Sequence, residues 1–123
     1  CSGLVGSEMC IRDSYKEIGD KYGPMEVVFM DSGQYNTRWR EVHNMPEEVI
    51  KGFIDLKGEN LIPIHWGMFT LAMHNWFDPP VEIKKRAEEK SISLITPIIG
   101  QVIDMKNLID TESWWEKFIN VIK

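Results

Sequence analysis

The residues Leu61-Ile62-Pro63-Ile64-His65-Trp66-Gly67 form a short apolar run that delivers one imidazole at its end, directly before a glycine. An imidazole so placed has its backbone fixed by a sheet while its ring projects beyond the strand, and open α/β sheets bind ligands at such carboxyl ends. Neutral imidazole is also a frequent metal ligand. A packed, hydrogen-bonded histidine beside Trp66 accounts for the same local pattern. Asp31 ends a second apolar run, Met25 to Met30, and could take the ring proton of a metal-holding histidine or simply form a turn. His43 lies just ahead of Met45-Pro46-Glu47-Glu48, where it can serve as a loop residue at the start of a helix. His74 reads as a surface histidine in a loop.

The elements that must position these residues alternate between helical and extended patterns. Ser14 to Tyr22 reads as a helix ended by Gly23-Pro24, because glycine tolerates the left-handed cap and proline cannot continue the ladder. Met25 to Met30 is short and β-branched and reads as a strand, turned out of the sheet by Asp31-Ser32-Gly33. Gln34 to His43 has no convincing period and reads as a loop. Asn44 can cap a helix from Met45, with Pro46 in its first turn and Glu47 completing a capping box. Val49, Ile50, Phe53, Ile54 and Leu56 give that helix a buried face. Lys57-Gly58-Glu59-Asn60 ends it, and the strand carrying His65 follows. Asp78 with Pro79-Pro80 opens a helix to about Lys90. Strands are expected near Ile92 to Thr96 and Gln101 to Ile103. Ser113 with Glu116 forms a second capping box, and Trp114, Trp115, Phe118, Ile119 and Ile122 recur at helical spacing, as expected of a C-terminal amphipathic helix packed on the sheet.

Composition bounds the class independently. A chain of 123 residues, 43% hydrophobic and 27% charged, is of ordinary globular make-up and of single-domain size. A net charge of −5 without a long Lys/Arg cluster argues against nucleic acid as a partner, which needs a basic footprint. Both cysteines, Cys1 and Cys10, lie in the first fourteen residues, so the remainder carries neither a disulfide framework nor a cysteine zinc site, in keeping with a reducing cytoplasm. No apolar run reaches the length of a membrane span.

Tyr15-Lys16-Glu17-Ile18-Gly19-Asp20-Lys21-Tyr22-Gly23-Pro24, then Gly33-Gln34-Tyr35-Asn36, Arg38-Trp39, His43-Asn44-Met45-Pro46-Glu47-Glu48 and Ile64-His65-Trp66-Gly67, follow one another in a distinctive order. From about Tyr15 to Ile103 the chain resembles the C-terminal half of a metallo-β-lactamase-fold hydrolase, in the branch of N-acyl-phosphatidylethanolamine phospholipase D and its bacterial relatives. The resemblance implies an α/β fold, half of an αββα sandwich, and one or two zinc ions. The family holds its metal with a His-x-His-x-Asp-His motif, a further histidine, a bridging aspartate in a Gly-Asp-Ser/Thr-Gly turn and a final histidine in the Ile-His-Trp-Gly strand end. His65 matches the last. His43, by its place before the Pro-Glu-Glu helix, becomes a candidate for substrate contact or proton transfer, since imidazole titrates near neutral pH. Gln34 and Tyr35 are further candidates for substrate contact. Trp66, with Met68 and Phe69, could line an apolar wall for a lipid, although core packing explains them as well. The chemistry implied is metal-assisted hydrolysis, with a small-molecule or lipid phosphodiester as the preferred substrate.

The other metal-binding motifs are not in this chain, which has three histidines and no pair separated by a single residue. Residues 1–14, CSGLVGSEMCIRDS, fit no piece of the family and read as translated sequencing-adapter sequence. Asp13-Ser14 echoes the bridging turn only in part, because Arg12 and Tyr15 stand where glycines belong. The expectation is therefore an artefactual leader, 1–14, followed by a partial domain, 15–123, lacking the N-terminal half of its fold and inactive by itself. A non-catalytic α/β interaction module that has lost the metal motif is the alternative reading.

Overall fold

The computed structural model describes residues 8–40, 42–67, 69–107, 111–119 and 121. Helix α1 (Glu8–Tyr22) leads through Gly23 and Pro24 into strand β1 (Met25–Asp31). A single 3₁₀ turn (Thr37–Trp39) interrupts the loop that follows, and then come α2 (Pro46–Asp55), β2 (Gly58–Ile64), α3 (Asp78–Glu89), β3 (Ser93–Leu94) and α4 (Glu116–Ile119). The three strands form one parallel sheet in the order β1-β2-β3. The molecule is an α/β protein, as expected. Parallel neighbours need a crossover connection, and α2 and α3 supply the two.

Both crossover helices bury their apolar stripes against the same face of the sheet. Val49, Ile50 and Phe53 of α2 meet Val28 and Met30 of β1, Leu61 of β2, and Ile83 and Ala87 of α3 in one buried cluster. The register pairs Val28 with Leu61 and Phe29 with Ile62, so these pairs lie on opposite faces. Helix α1 leans on α2, and Gly19 makes the close approach possible: a β-carbon there would fall 2.1 Å from the carbonyl oxygen of Asp55. On the face away from the crossover helices Phe29 is 63% exposed, whereas Ile62 is buried.

Several boundaries differ from those expected. α1 starts at Glu8, ahead of the expected Ser14, and runs through Asp13. Residues 1–7 lie outside the described residues. The first residue before α2 is Met45, not Asn44, because the Glu48 carboxylate reaches back three positions to accept the Met45 N–H at 2.9 Å. Glu48, not Glu47, therefore completes the box, and Asn44 is buried beside it. β2 begins at Gly58, since Lys57 takes a left-handed backbone (φ 54°) that ends α2 within two residues. β3 is confined to Ser93–Leu94. Residues 101–103 form no strand: Gln101 instead turns back, its amide donating to the Ile98 carbonyl and its side-chain oxygen accepting from the Ile98 N–H. Beyond β3 the described residues offer no strand to pair with. The C-terminal helix is short, and its anchor is the fully buried Trp115. Ile122 lies outside the described residues.

Candidate metal and substrate site

The parallel register sets Asp31, the last residue of β1, opposite Ile64, the last residue of β2. His65 follows immediately. Its backbone is left-handed (φ 65°), which ends the strand and turns the chain. Its Nδ1 lies 2.9 Å from Asp31 Oδ1. His43 reaches the same carboxylate from the loop ahead of α2, with Nδ1 3.0 Å from Asp31 Oδ2. One aspartate thus accepts from two imidazoles through its two oxygens, and the rings stand 5.1 Å apart between centroids. His65 is where its strand-end position was expected to place it, on the same rim as His43.

Local structure fixes both histidines. Asn36 Oδ1 accepts from the Arg38 N–H at 2.9 Å and starts the 3₁₀ turn, and the carbonyl of Trp39 at its end accepts from the amides of Val42 and His43. The Ser32 amide donates to the Ile64 carbonyl at 3.0 Å and laces the ends of β1 and β2 together. Gly33 then passes so close to the second strand end that a β-carbon would sit 1.7 Å from the His65 carbonyl oxygen. Only glycine fits there.

With each Nδ1 bonded to the carboxylate, the rings carry their protons on Nδ1 and leave Nε2 as a free lone pair. Carboxylate–imidazole pairing of this kind fixes tautomer and ring orientation in metal sites and raises ligand basicity. One ligating atom from each of Asp31, His43 and His65 falls within 4.8 Å of the others. The donor set suits a metal such as zinc in type, since imidazole nitrogen is among its common ligands. It is incomplete in number, because with Asp31 engaged by both rings two imidazoles remain, and catalytic zinc generally has three protein ligands.

A cavity of about 190 Å³ opens beside the pair, lined by Gln34, Trp39, His43, His65, Leu71 and Ala72. Two of the remaining residues singled out from the sequence stand away from it. Tyr35 stacks on His74 with centroids 4.5 Å apart, and His74 is not part of the Asp31 group. Burial, then the nearby Asp78 and Glu82 carboxylates, push the Tyr35 phenol up to about 12, so it stays neutral. Trp66 is packed face-on against Trp114 at 5.6 Å and edge-on against Trp115 at 5.4 Å, and its indole N–H donates to the Pro63 carbonyl. Met68 lies outside the described residues. Asp31 was legible as a candidate from its strand end, but its grip on two histidines was not. Leu71 and Ala72 were missed altogether, having no sequence signal beyond an apolar loop.

No family model matches the chain. An uncharacterized protein of Mycobacterium tuberculosis is 31% identical over 113 residues, covering 89% of this chain and 30% of that protein. N-acyl-phosphatidylethanolamine-hydrolyzing phospholipase D 1 of Caenorhabditis elegans is 27% identical over 95 residues, covering 72% of this chain and 27% of its own length. The mitochondrial N-acyl-phosphatidylethanolamine-hydrolyzing phospholipase D of Saccharomyces cerevisiae is 28% identical over 87 residues, with 68% and 19% covered. The chain spans less than a third of the length of these relatives. Over part of its sequence it is a distant relative of phospholipase D enzymes of this kind.

Proposed function

We propose that this chain is the His65-bearing portion of a zinc-dependent phosphodiesterase of the metallo-β-lactamase fold. The observation that carries the reading is the shared carboxylate: Asp31 takes the Nδ1 protons of His43 and His65 and leaves both Nε2 atoms free. The partial similarity to phospholipases that hydrolyse N-acyl-phosphatidylethanolamine supports the reaction class. That this segment aligns with only a fraction of each relative fits a fold whose other half, with the remaining ligands, is encoded elsewhere in the gene.

In this reading His65 holds the metal through Nε2, and Asp31 orients it and makes its nitrogen more basic. When bound, zinc would supply Lewis-acid polarisation and an activated water at neutral pH. His43 is only 21% exposed in its side chain against 51% for His65, so it faces a drier part of the site. There its Nε2 can accept or return a proton at the substrate oxygen, with Asp31 stabilising the imidazolium that forms. Trp39, Leu71 and Ala72 line the same cavity as the two rings and add apolar surface to it.

The test is zinc content and phosphodiester hydrolysis by the product of the whole gene, sequenced upstream through residues 1–14. Stoichiometric zinc, lost in His65→Ala together with hydrolysis, is the expected result, and the 123-residue chain alone is expected to bind zinc weakly and to hydrolyse nothing. Absence of zinc from the whole product would favour the interaction module.

A further inference from the structure

We infer that Gln34 is a positioning residue, a clasp that holds the loop 69–72 so that Leu71 and Ala72 form an apolar wall of the cavity, and that Leu71 on this wall selects diesters with an apolar arm next to the phosphorus. The inference rests on the phosphodiester reading above. Gln34 sits just past the end of β1 with a left-handed backbone (φ 56°). Non-glycine residues in that region are uncommon and are kept where the surroundings over-determine them. Here the surroundings are explicit. Gln34 Nε2 donates to the Phe69 carbonyl at 2.9 Å, and Gln34 Oε1 accepts the Ala72 N–H at 3.0 Å. The Gln34 carbonyl accepts the Trp39 indole N–H at 2.7 Å.

The side-chain amide therefore bonds one donor and one acceptor of a single loop, thirty-five residues away at the Phe69 contact. Both bonds run to backbone, so they fix the path of the loop whatever its side chains are. The path places Ala72 in a buried position and Leu71 at the open mouth, beside His43 and His65. The third bond ties Trp39, which also lines the cavity, to the same residue. Glutamine suits this place because a carboxylate would repel the Phe69 carbonyl and an aliphatic chain would leave the Ala72 amide of a part-buried loop unpaired.

The wall has a consequence for substrate choice. A phosphodiester seated against the two imidazole Nε2 atoms places one of its arms along Leu71, Ala72 and Trp39. An apolar arm gains contact there and a small one does not. The loop also exposes Phe69 and Met73 outside the cavity.

Two measurements test it. In the full chain, hydrogen exchange of the Ala72 amide should accelerate about tenfold in Gln34→Met, the worth of one hydrogen bond, with the Leu61 and Ile62 amides of β2 unchanged. Unchanged Ala72 exchange overturns the clasp. In the zinc-loaded product of the whole gene, diphenyl phosphate should bind more tightly than dimethyl phosphate. Gln34→Met and Leu71→Ala should each weaken diphenyl phosphate by roughly five- to tenfold, the worth of one or two methylene contacts, and leave dimethyl phosphate alone. Equal losses for both ligands overturn the selective wall. If the wild-type protein binds neither, the phosphodiester site and its selectivity fall, and the exchange result still decides the clasp.

Discussion

Asp31 concentrates the chemistry of the site in one side chain. Its two oxygens serve two imidazoles, so replacing it with asparagine leaves one acceptor oxygen and sets an NH₂ donor against the second Nδ1–H. Both rings then lose a common orientation. Asp31→Asn should lower the zinc affinity of the whole gene product by roughly 10- to 100-fold, as removal of a supporting carboxylate does elsewhere, and a competition titration with a chelating indicator would measure it. An unchanged affinity would mean that the carboxylate only fills space. Tyr35 makes a different prediction. Its phenol is raised from 10.0 to about 12 by burial and by the carboxylates of Asp78 and Glu82. A group whose folded value lies above its unfolded one contributes stability that is complete below pH 10.0 and is lost as the pH climbs towards about 12. Tyr35→Phe should therefore flatten the alkaline limb of the stability curve between those limits, with little change at neutral pH. Tyrosinate absorbance, followed alongside chemical denaturation, would show one phenol ionising late in the wild type and not in the variant.

Among the elements, the segment from Trp114 to Ile119 does more than its single turn of helix suggests. Trp114 lies between Trp66, at the end of the site strand, and Trp76, just before α3, stacked on the two at 5.6 and 6.4 Å with nearly parallel planes. Trp115 is fully buried and meets Trp66 edge-on. Four tryptophans thus join the C-terminal segment to both ends of the loop that forms the cavity wall. Offset-stacked and edge-on aromatic pairs each add about 1 kcal/mol beyond the area they bury. Truncating the enclosed member should be among the most damaging single changes available. Trp115→Ala is expected to cost about 3–5 kcal/mol in urea denaturation, whereas Phe118→Ala, on a half-exposed ring, should cost under about 1.5 kcal/mol. Comparable losses would indicate that the cluster is loosely packed.

At the scale of the whole molecule the sheet is covered on one face by α2 and α3, and its other face is covered unevenly. Parallel sheets occur almost only with both faces covered, yet Phe29 is 63% exposed on an edge strand. An apolar edge of this kind promotes pairing with other chains. The chain should self-associate, most strongly near its isoelectric point of about 5.2, where the net charge of −5 at neutral pH no longer keeps copies apart. Phe29→Lys should shift sedimentation towards the monomer without changing the far-ultraviolet dichroism. A wild-type chain that stays monomeric at pH 5.2 and millimolar concentration would count against an open sheet face. Among the described residues no helix is long and apolar enough to cross a membrane.

What the amino-acid sequence determined by itself was local. The run from Met25, the stripe Val49, Ile50, Phe53 and the helix from Pro79-Pro80 announce β1, α2 and α3 because helical and extended periods are written into neighbouring residues. The apolar run ending at His65 placed an imidazole at a strand end for the same reason. The weak elements failed where pairing decides: Gln101 to Ile103 has strand-like residues but no neighbouring strand among the described residues, and the described part of α4 is only Glu116–Ile119. The cap of α2 moved by one residue because the Glu48 carboxylate, not the identity of Asn44, satisfied the amide. The site itself belongs to tertiary structure. Asp31 and His65 are thirty-four residues apart and Gln34 and Phe69 thirty-five, and no period or motif encodes that one carboxylate will receive two rings or that one amide will hold a loop. Those meetings depend on the register of β1 on β2, on the 1.7 Å that only a glycine can concede at Gly33, and on backbone turned left-handed at Gln34 and His65, all of which exist only once the strands have paired.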